Sequence, residues 1–282
     1  MTAISRFSIN LGGRLFSLAP PQVMGILNCT PDSFFADSRS CDEADIALRA
    51  RKIVDEGGTI IDVGACSTRP DSEPVDEAEE RRRLRRALTI IRNECPDTPL
   101  SIDTFRPDVA RMCVEEYGAA IINDVGQTAT HSPRSDAERQ AMFSMAARLR
   151  VPYVLTSSHA TMETMLTSMA RDIAELHALG VGDVIADPGF GFGKTLEQNH
   201  LILAQLEELH LLNVPLLIGI SRKSMFTRLL NITAAEALNA TTVGHTLTLM
   251  KGAHILRVHD VKEAVEAVKI TGVIQSYTMC EE

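Results

Sequence analysis

Eight short apolar runs, rich in β-branched residues and each closing at or beside a polar residue or glycine, recur along the chain with a longer segment of helical period after each. They are VMGILN (23–28), TIIDVGA (59–65), PLSIDT (99–104), AAIIND (119–124), VPYVLT (151–156), DVIADPG (183–189), PLLIGI (215–220) and AHILRVH (253–259). The segments between them include EADIALRARKIVDEGG (43–58), TLEQNHLILAQLEELHLL (195–212) and KEAVEAVKITGVI (262–274). These carry apolar residues at three-to-four spacing and often stop at glycine, as helices packed on one face do. Strands apolar on both faces require cover on both, which implies a parallel sheet wrapped in helices. Eight such units in 282 residues predict a closed (β/α)8 TIM barrel of the α/β class, with a doubly wound open sheet as the rival. The leading FSINLGGRLFSL (7–18) predicts a short β-hairpin turning at Gly12-Gly13 and plugging the barrel floor. Lacking a low-complexity linker, residues 1–282 read as one domain, with the barrel proper over about 21–277.

Composition narrows the partners. The formal charge is −9, and no run of Lys and Arg could track a phosphate backbone, which argues against nucleic acid. The densest basic cluster, Arg81 to Arg86, follows a run of acids and reads as an exposed helix face of i,i+4 pairs. The 6 cysteines show neither CxxC spacing nor a nearby His pair, so they read as reduced thiols in a cytoplasmic protein. No window approaches the ~18 apolar residues that span a bilayer, and the opening MTAISRFSIN has no apolar signal core, so no membrane is expected.

In a parallel barrel the chemistry gathers where strands end, and these ends are polar: Asn28, Asp62, Asp103, Asn123-Asp124, Thr156 to His159, Asp187, Ser221 to Lys223, Arg257 and His259. Partly buried polar groups need hydrogen-bond partners, so a purely structural chain has little reason to collect them there. The glycine-rich DPGFGFGK (187–194) suggests a phosphate cradle, yet it fails both templates. Counting back from Gly193-Lys194-Thr195 puts Pro188 at the first P-loop glycine, and the dinucleotide fingerprint would need glycine at Lys194. What it does supply is a strand-end carboxylate, Asp187, able to accept two parallel N–H bonds from a guanidinium or a 2-amino-4-oxo-pyrimidine edge. Capping of the next helix by Asp187, with Phe190 in the core, is the plainer alternative.

MGILNCTPDSF, STRP, SIDT, IIND, DPGFGFGK, SRKS and RVHDV stand in order at different strand ends, from about Val23 to about Val268. Together they resemble dihydropteroate synthase, a pterin-binding TIM-barrel family. The resemblance implies condensation of 6-hydroxymethyl-7,8-dihydropterin diphosphate with p-aminobenzoate, giving dihydropteroate and pyrophosphate with Mg²⁺ in folate synthesis, by a homodimer that is a sulfonamide target. It implies Asp103, Lys223 and Arg257 as catalytic residues, and Asp103, Asn123, Asp187 and Lys223 around the pterin. Asn28, Thr68, Arg257 and His259 would meet the diphosphate, with Asn28 also on Mg²⁺. Phe34, Thr68, Arg69, Pro70, Phe190 and Ser224 would form the p-aminobenzoate pocket.

These residue types suit the ligands. A planar bicycle with donors on one edge and a carbonyl on the other needs both acceptors and an ammonium, because an unpaired buried acceptor costs ~1–3 kcal/mol. Magnesium keeps several waters and leans on substrate phosphate, so one neutral protein oxygen suffices. Electron donation from the reduced ring stabilises a cation at its exocyclic methylene, so diphosphate departure is expected before amine attack; positioning and charge stabilisation then carry the rate. Three stretches depart from the family pattern: PDSFFADSRS (31–40) after the first strand, Cys66 where glutamate precedes STRP, and LTSSHAT (155–161) in place of a Met-His-Met sequence. They bear on the p-aminobenzoate side more than on the pterin side. The alternatives are a pterin-binding methyltransferase barrel, which needs neither Arg257, His259 nor STRP, and a non-catalytic pterin-binding paralogue.

Overall fold

The computed structural model describes residues 7–29, 43–66, 75–125 and 135–278. All eight apolar runs form parallel strands of one sheet: β3 (Gln22–Asn28), β4 (Ile60–Gly64), β5 (Leu100–Asp103), β6 (Ile121–Asp124), β7 (Tyr153–Thr156), β8 (Val184–Asp187), β9 (Leu217–Ile218) and β10 (Ile255–Val258). Consecutive strands pair from β3 through β8, and β10 lies between β3 and β9. The ring closes through a parallel bridge from Ala186 to Leu216, reinforced by Ala186 N–H donating to the Pro215 carbonyl at 2.8 Å. Closure leaves no free edge, which decides for the barrel over the open sheet.

A helix follows each strand: α1 (Glu43–Asp55), α2 (Glu77–Glu94), α3 (Pro107–Tyr117), α4 (Asp136–Leu149), α5 (Met162–Ala178), α6 (Leu196–Ala204), α7 (Ser224–Leu230) with α8 (Leu238–Met250) after β9, and α9 (Val261–Thr278). The segment 195–212 is not one helix. At Gln205 it tightens into a 3-10 helix, Leu206–Leu212, whose three-residue turn lines Leu206 and Leu209 up on the core, both completely buried. The basic cluster on α2 is spent on acids: Arg81 pairs with Glu77 at 2.9 Å, Arg82 and Arg83 with Glu79, Arg85 with Glu116 of α3 and Arg86 with Glu43 of α1.

Strand alternation sorts the apolar residues into two layers. Outward residues such as Val63, Ile102, Ile122, Leu155 and Val258 pack under the helices. Inward residues Met24, Ile60, Ile121, Val154, Ile185, Leu217 and Ile255 fill the lower barrel and join Ile9, Leu11 and Leu18 of the N-terminal hairpin. That hairpin, β1 (Ser8–Leu11) and β2 (Arg14–Ser17), turns on Gly12 and Gly13, whose φ angles of 60° and 87° suit a two-residue loop. Asn10 N–H donates to Asp183 Oδ2 at 2.8 Å just below β8, which fixes the hairpin across the floor as expected. Each buried aliphatic side chain contributes about 1.5–3 kcal/mol, so the floor is a solid base. The next inward positions above it are polar, and there the site begins.

Candidate active site

Above the floor, the inward side chains of six strands become Asp62 on β4, Ser101 and Asp103 on β5, Asn123 on β6, Thr156 on β7, Asp187 on β8 and Arg257 on β10. Asp62 is completely buried and ties them together. It accepts from Ser101 Oγ at 2.6 Å, from Asn123 Nδ2 at 3.1 and 3.2 Å, and from Arg257 Nε at 2.6 Å. Arg257 Nη2 in turn donates to Asp103 Oδ2 at 2.7 Å. One guanidinium thus bridges two carboxylates from different strands, a charge-assisted arrangement stronger than neutral pairs. Since its amide nitrogen is held by Asp62, Asn123 presents Oδ1 as a buried acceptor with no partner among the described residues.

The electrostatics follow from burial. Desolvation pushes Asp103 up to about 7 despite the opposing Arg257 charge, with Asp62 adding to the rise. It also raises Asp187, against the fields of Lys223, the Gly189 N–H and Arg257. Lys223 is lowered to about 8 by desolvation, which the Asp187 carboxylate opposes, so its ammonium and that carboxylate face each other in one field. Lys223 Nζ donates to the Phe190 carbonyl and lies 4.6 Å from the Phe192 ring centroid.

The glycine-rich loop after β8 is a strand-to-strand clamp. A Cβ on Gly189 (φ +65°) would sit 2.1 Å from the Ser157 carbonyl oxygen, so only glycine lets these two strand ends approach. Gly189 N–H donates to Asp187 Oδ1 at 2.7 Å, fixing the carboxylate. Lys194 Nζ donates to the carbonyls of Ser157 and Gly189 at 2.9 Å and Phe192 at 3.1 Å, so the apparent phosphate lysine is consumed within the loop. Thr195 caps α6 in a capping box with Gln198, and Asn199 Oδ1 accepts from Gly191 N–H at 2.7 Å. The helix cap is therefore Thr195, not Asp187.

On the opposite rim, Arg222 adopts a left-handed backbone (φ 53°) and forks onto Asp260 with two 2.8 Å bonds. This joins the β9 loop carrying Lys223 to the β10 loop carrying His259. His259 Nδ1 lies 3.1 Å from Ser221 Oγ, and burial followed by the Arg257 charge favours its neutral ring.

A family model described as pterin binding enzyme matches residues 24–259. The dihydropteroate synthase of Escherichia coli (strain K12) is 38% identical over 273 residues, covering 92% of this chain and 93% of that protein. The chain belongs to the dihydropteroate synthase family. Among solved members, the Yersinia pestis dihydropteroate synthase in a sulfonamide drug complex superposes with a TM-score of 0.83 at 33% identity, covering 96% of this chain and 100% of that one. The Thermus thermophilus dihydropteroate synthase was solved with 4-aminobenzoate (TM-score 0.80, 32% identity, 95% and 99% covered) and with 6HMPPP (0.79, 32%, 94% and 98%).

Set beside the expectations drawn from this dihydropteroate synthase resemblance, Asp103, Asn123, Asp187, Lys223 and Arg257 converge on one barrel mouth, with Asn28 closing β3 and His259 just past β10. Ser224 is exposed at the first turn of α7. Phe34, Thr68, Arg69 and Pro70 lie outside the described residues. Phe190 does not form a wall: its side chain is completely buried in the outer core, and only its carbonyl reaches the mouth. The left-handed turns at Gly189 and Gly191 send Phe190 outward and leave Phe192 against Lys223.

The Cys66 departure is inert: burial, then the Glu80 charge, push its thiol up to about 12 while Glu80 and Arg106 pair beside it. His159 lies in the loop ahead of Thr161, the N-cap of α5, and its N–H donates to Ser157 Oγ at 3.2 Å. Three positions that the sequence leaves without a role prove to organise the site. Asp62 sits inside its strand, two residues before the end, and Lys194 and Asn199 act on backbone atoms that only the fold brings near.

Among the described residues no group of three or more His, Cys, Asp or Glu could hold a metal ion. Asn28 offers a single hard amide oxygen, 3.4 Å from where a Gly64 Cβ would stand and facing Asp103 across it. That single donor suits a Mg²⁺ held chiefly by phosphate and water. Among the described residues no helix is long and apolar enough to cross a membrane.

Proposed function

We propose that this chain condenses 6-hydroxymethyl-7,8-dihydropterin diphosphate with p-aminobenzoate to give 7,8-dihydropteroate and pyrophosphate. The observation that carries the reading is the convergence of Asp187, Asn123 Oδ1 and Lys223 above a closed apolar floor. Asp187 takes the amino and ring N–H pair, Asn123 Oδ1 and Asp103 meet further ring nitrogens, and Lys223 donates to the ring carbonyl. Asp62 holds Asn123 and Arg257 in place. The remaining N–H donors of Arg257, with Asn28, Thr68 and His259, meet the diphosphate as charge builds on it. Mg²⁺ held through Asn28 would supply further neutralisation of the departing phosphates.

The aryl amine attacks as a neutral nucleophile, so no protein base is needed to activate it. Phe192 replaces Phe190 as the aromatic wall of the p-aminobenzoate side, beside Phe34, Thr68, Arg69, Pro70 and Ser224. The chain acts as one domain, in the cytoplasm, where thiols such as Cys95 and Cys113 stay reduced. A homodimer is supported by the apolar side chains that α8 and α9 leave exposed, Val243, Leu247, Ile270, Val273, Ile274 and Tyr277. The test is pyrophosphate release from the purified protein. Release only with both substrates and Mg²⁺ is expected, whereas pterin binding without release would favour a non-catalytic paralogue.

A further inference from the structure

Thr156 ends β7 in the middle of the departure LTSSHAT, and none of the roles above uses it. Its place is set by alternation: Tyr153 and Leu155 pack outward under the helices, Val154 points into the barrel floor, and Thr156 therefore points inward one step higher. It pairs in register with Asp187 across the β7–β8 ladder, and its Cγ2 lies 3.1 Å from where a Gly189 Cβ would stand. Thr156 is only 2% exposed, and its buried Oγ1 has no hydrogen-bond partner among the described residues. A buried hydroxyl without a partner is costly, and a valine would fill the same space at no such cost. Such a group calls for a ligand atom.

The ligand atom follows from counting donors. An exocyclic amine on a flat heterocycle carries two N–H bonds, and a carboxylate fork on the ring edge takes one of them together with the neighbouring ring N–H. The second amine N–H diverges from the Asp187 fork, whose Oδ1 also accepts the Gly189 N–H, and so needs another acceptor. Asn123 Oδ1 sits on β6, where its own residue pairs with Val154, one rung below Thr156. On the rung of Asp187, Thr156 Oγ1 is a buried oxygen without a partner among the described residues.

We propose that the Thr156 hydroxyl is a specificity-determining contact that accepts the second N–H of the ring amine held by Asp187. It thereby selects 2-amino heterocycles over analogues lacking that amine. The inference rests on the pterin reading of the same site and narrows it to one atom.

Titration calorimetry with 6-hydroxymethylpterin and with its 2-desamino counterpart, on wild type, Thr156→Val and Thr156→Ser, tests it. Thr156→Val should weaken pterin binding about 5- to 10-fold and leave the desamino compound within about 2-fold, because one neutral hydrogen bond is lost only where the amine is present. Thr156→Ser, which restores the hydroxyl, should bind both compounds as wild type does, separating the contact from any folding defect. Equal losses for both compounds, or no loss for either, would overturn the proposal. If wild type binds neither compound, the pterin reading itself falls and takes the proposal with it; wild-type binding with an unaffected Thr156→Val overturns the proposal alone.

Discussion

Replacing Asp62 with asparagine keeps the shape of a side chain that touches Ser101, Asn123 and Arg257 but removes its charge and exchanges one acceptor for a donor. The bond from Arg257 Nε, 2.6 Å in the native site, loses its anionic acceptor, a loss of about 1.5–3 kcal/mol. The new amide also sets an NH₂ against the Asn123 NH₂, leaving one buried donor unpaired at about 1–3 kcal/mol. The sum, about 2.5–6 kcal/mol, brackets the cost of breaking a buried charge network. At about 2 °C per kcal/mol for a chain this long, the melting temperature falls by roughly 5–12 °C. Should Asn123 rotate to relieve the contact, Oδ1 turns away from the ligand, so pterin affinity falls about tenfold as well. Thermal unfolding followed by far-ultraviolet circular dichroism, paired with titration of 6-hydroxymethylpterin, measures both. A melting point within about 2 °C of wild type together with unchanged affinity would refute the role of Asp62.

Asp187→Asn should weaken pterin binding by about 1.5–3 kcal/mol, read by calorimetry, because a charged acceptor pair is lost. Gly189→Ala drives a methyl into the Ser157 carbonyl at a left-handed position, so it should destabilise by at least about 2 kcal/mol in urea unfolding and release the Asp187 carboxylate. His245 is buried on α8 and held down to about 4 by desolvation, with Asp260 opposing. Its folded value lies below its unfolded one, so the stability it permits is full above about pH 6.5 and is lost as pH falls toward 4. Between pH 7 and pH 5, wild type should therefore lose about 2 kcal/mol more stability than His245→Leu in parallel urea titrations; equal losses would remove His245 from the acid response.

The barrel was legible because every strand is apolar on both faces, and short runs of this kind have few other solutions than a helix-wrapped parallel sheet. The meeting of the candidate pterin residues was legible too, since Asp103, Asn123 and Asp187 close their strands and Lys223 stands in the loop after β9, where barrel chemistry collects. Phe190 shows the limit. Two phenylalanines alternate with glycines, and the left-handed turns at Gly189 and Gly191 decide which ring faces out, a backbone property that the residue order does not state. Lys194 shows another: its donors serve carbonyl groups, which carry no side-chain signature. Asp62 was visible as a polar residue in an apolar run, but its function as the hub depends on reaching β5, β6 and β10 at once.

The proposed reaction requires groups from distant strands to meet around one flat bicyclic ring, and a crystal structure of the protein with 6-hydroxymethyl-dihydropterin diphosphate tests that directly. Asp187 and Asn123 Oδ1 are expected within hydrogen-bond distance of ring N–H groups, with Lys223 Nζ on the carbonyl and the diphosphate toward Asn28, Arg257 and His259. Density for the ring elsewhere, or a ring whose edges face none of Asp187, Asn123 and Lys223, would contradict it.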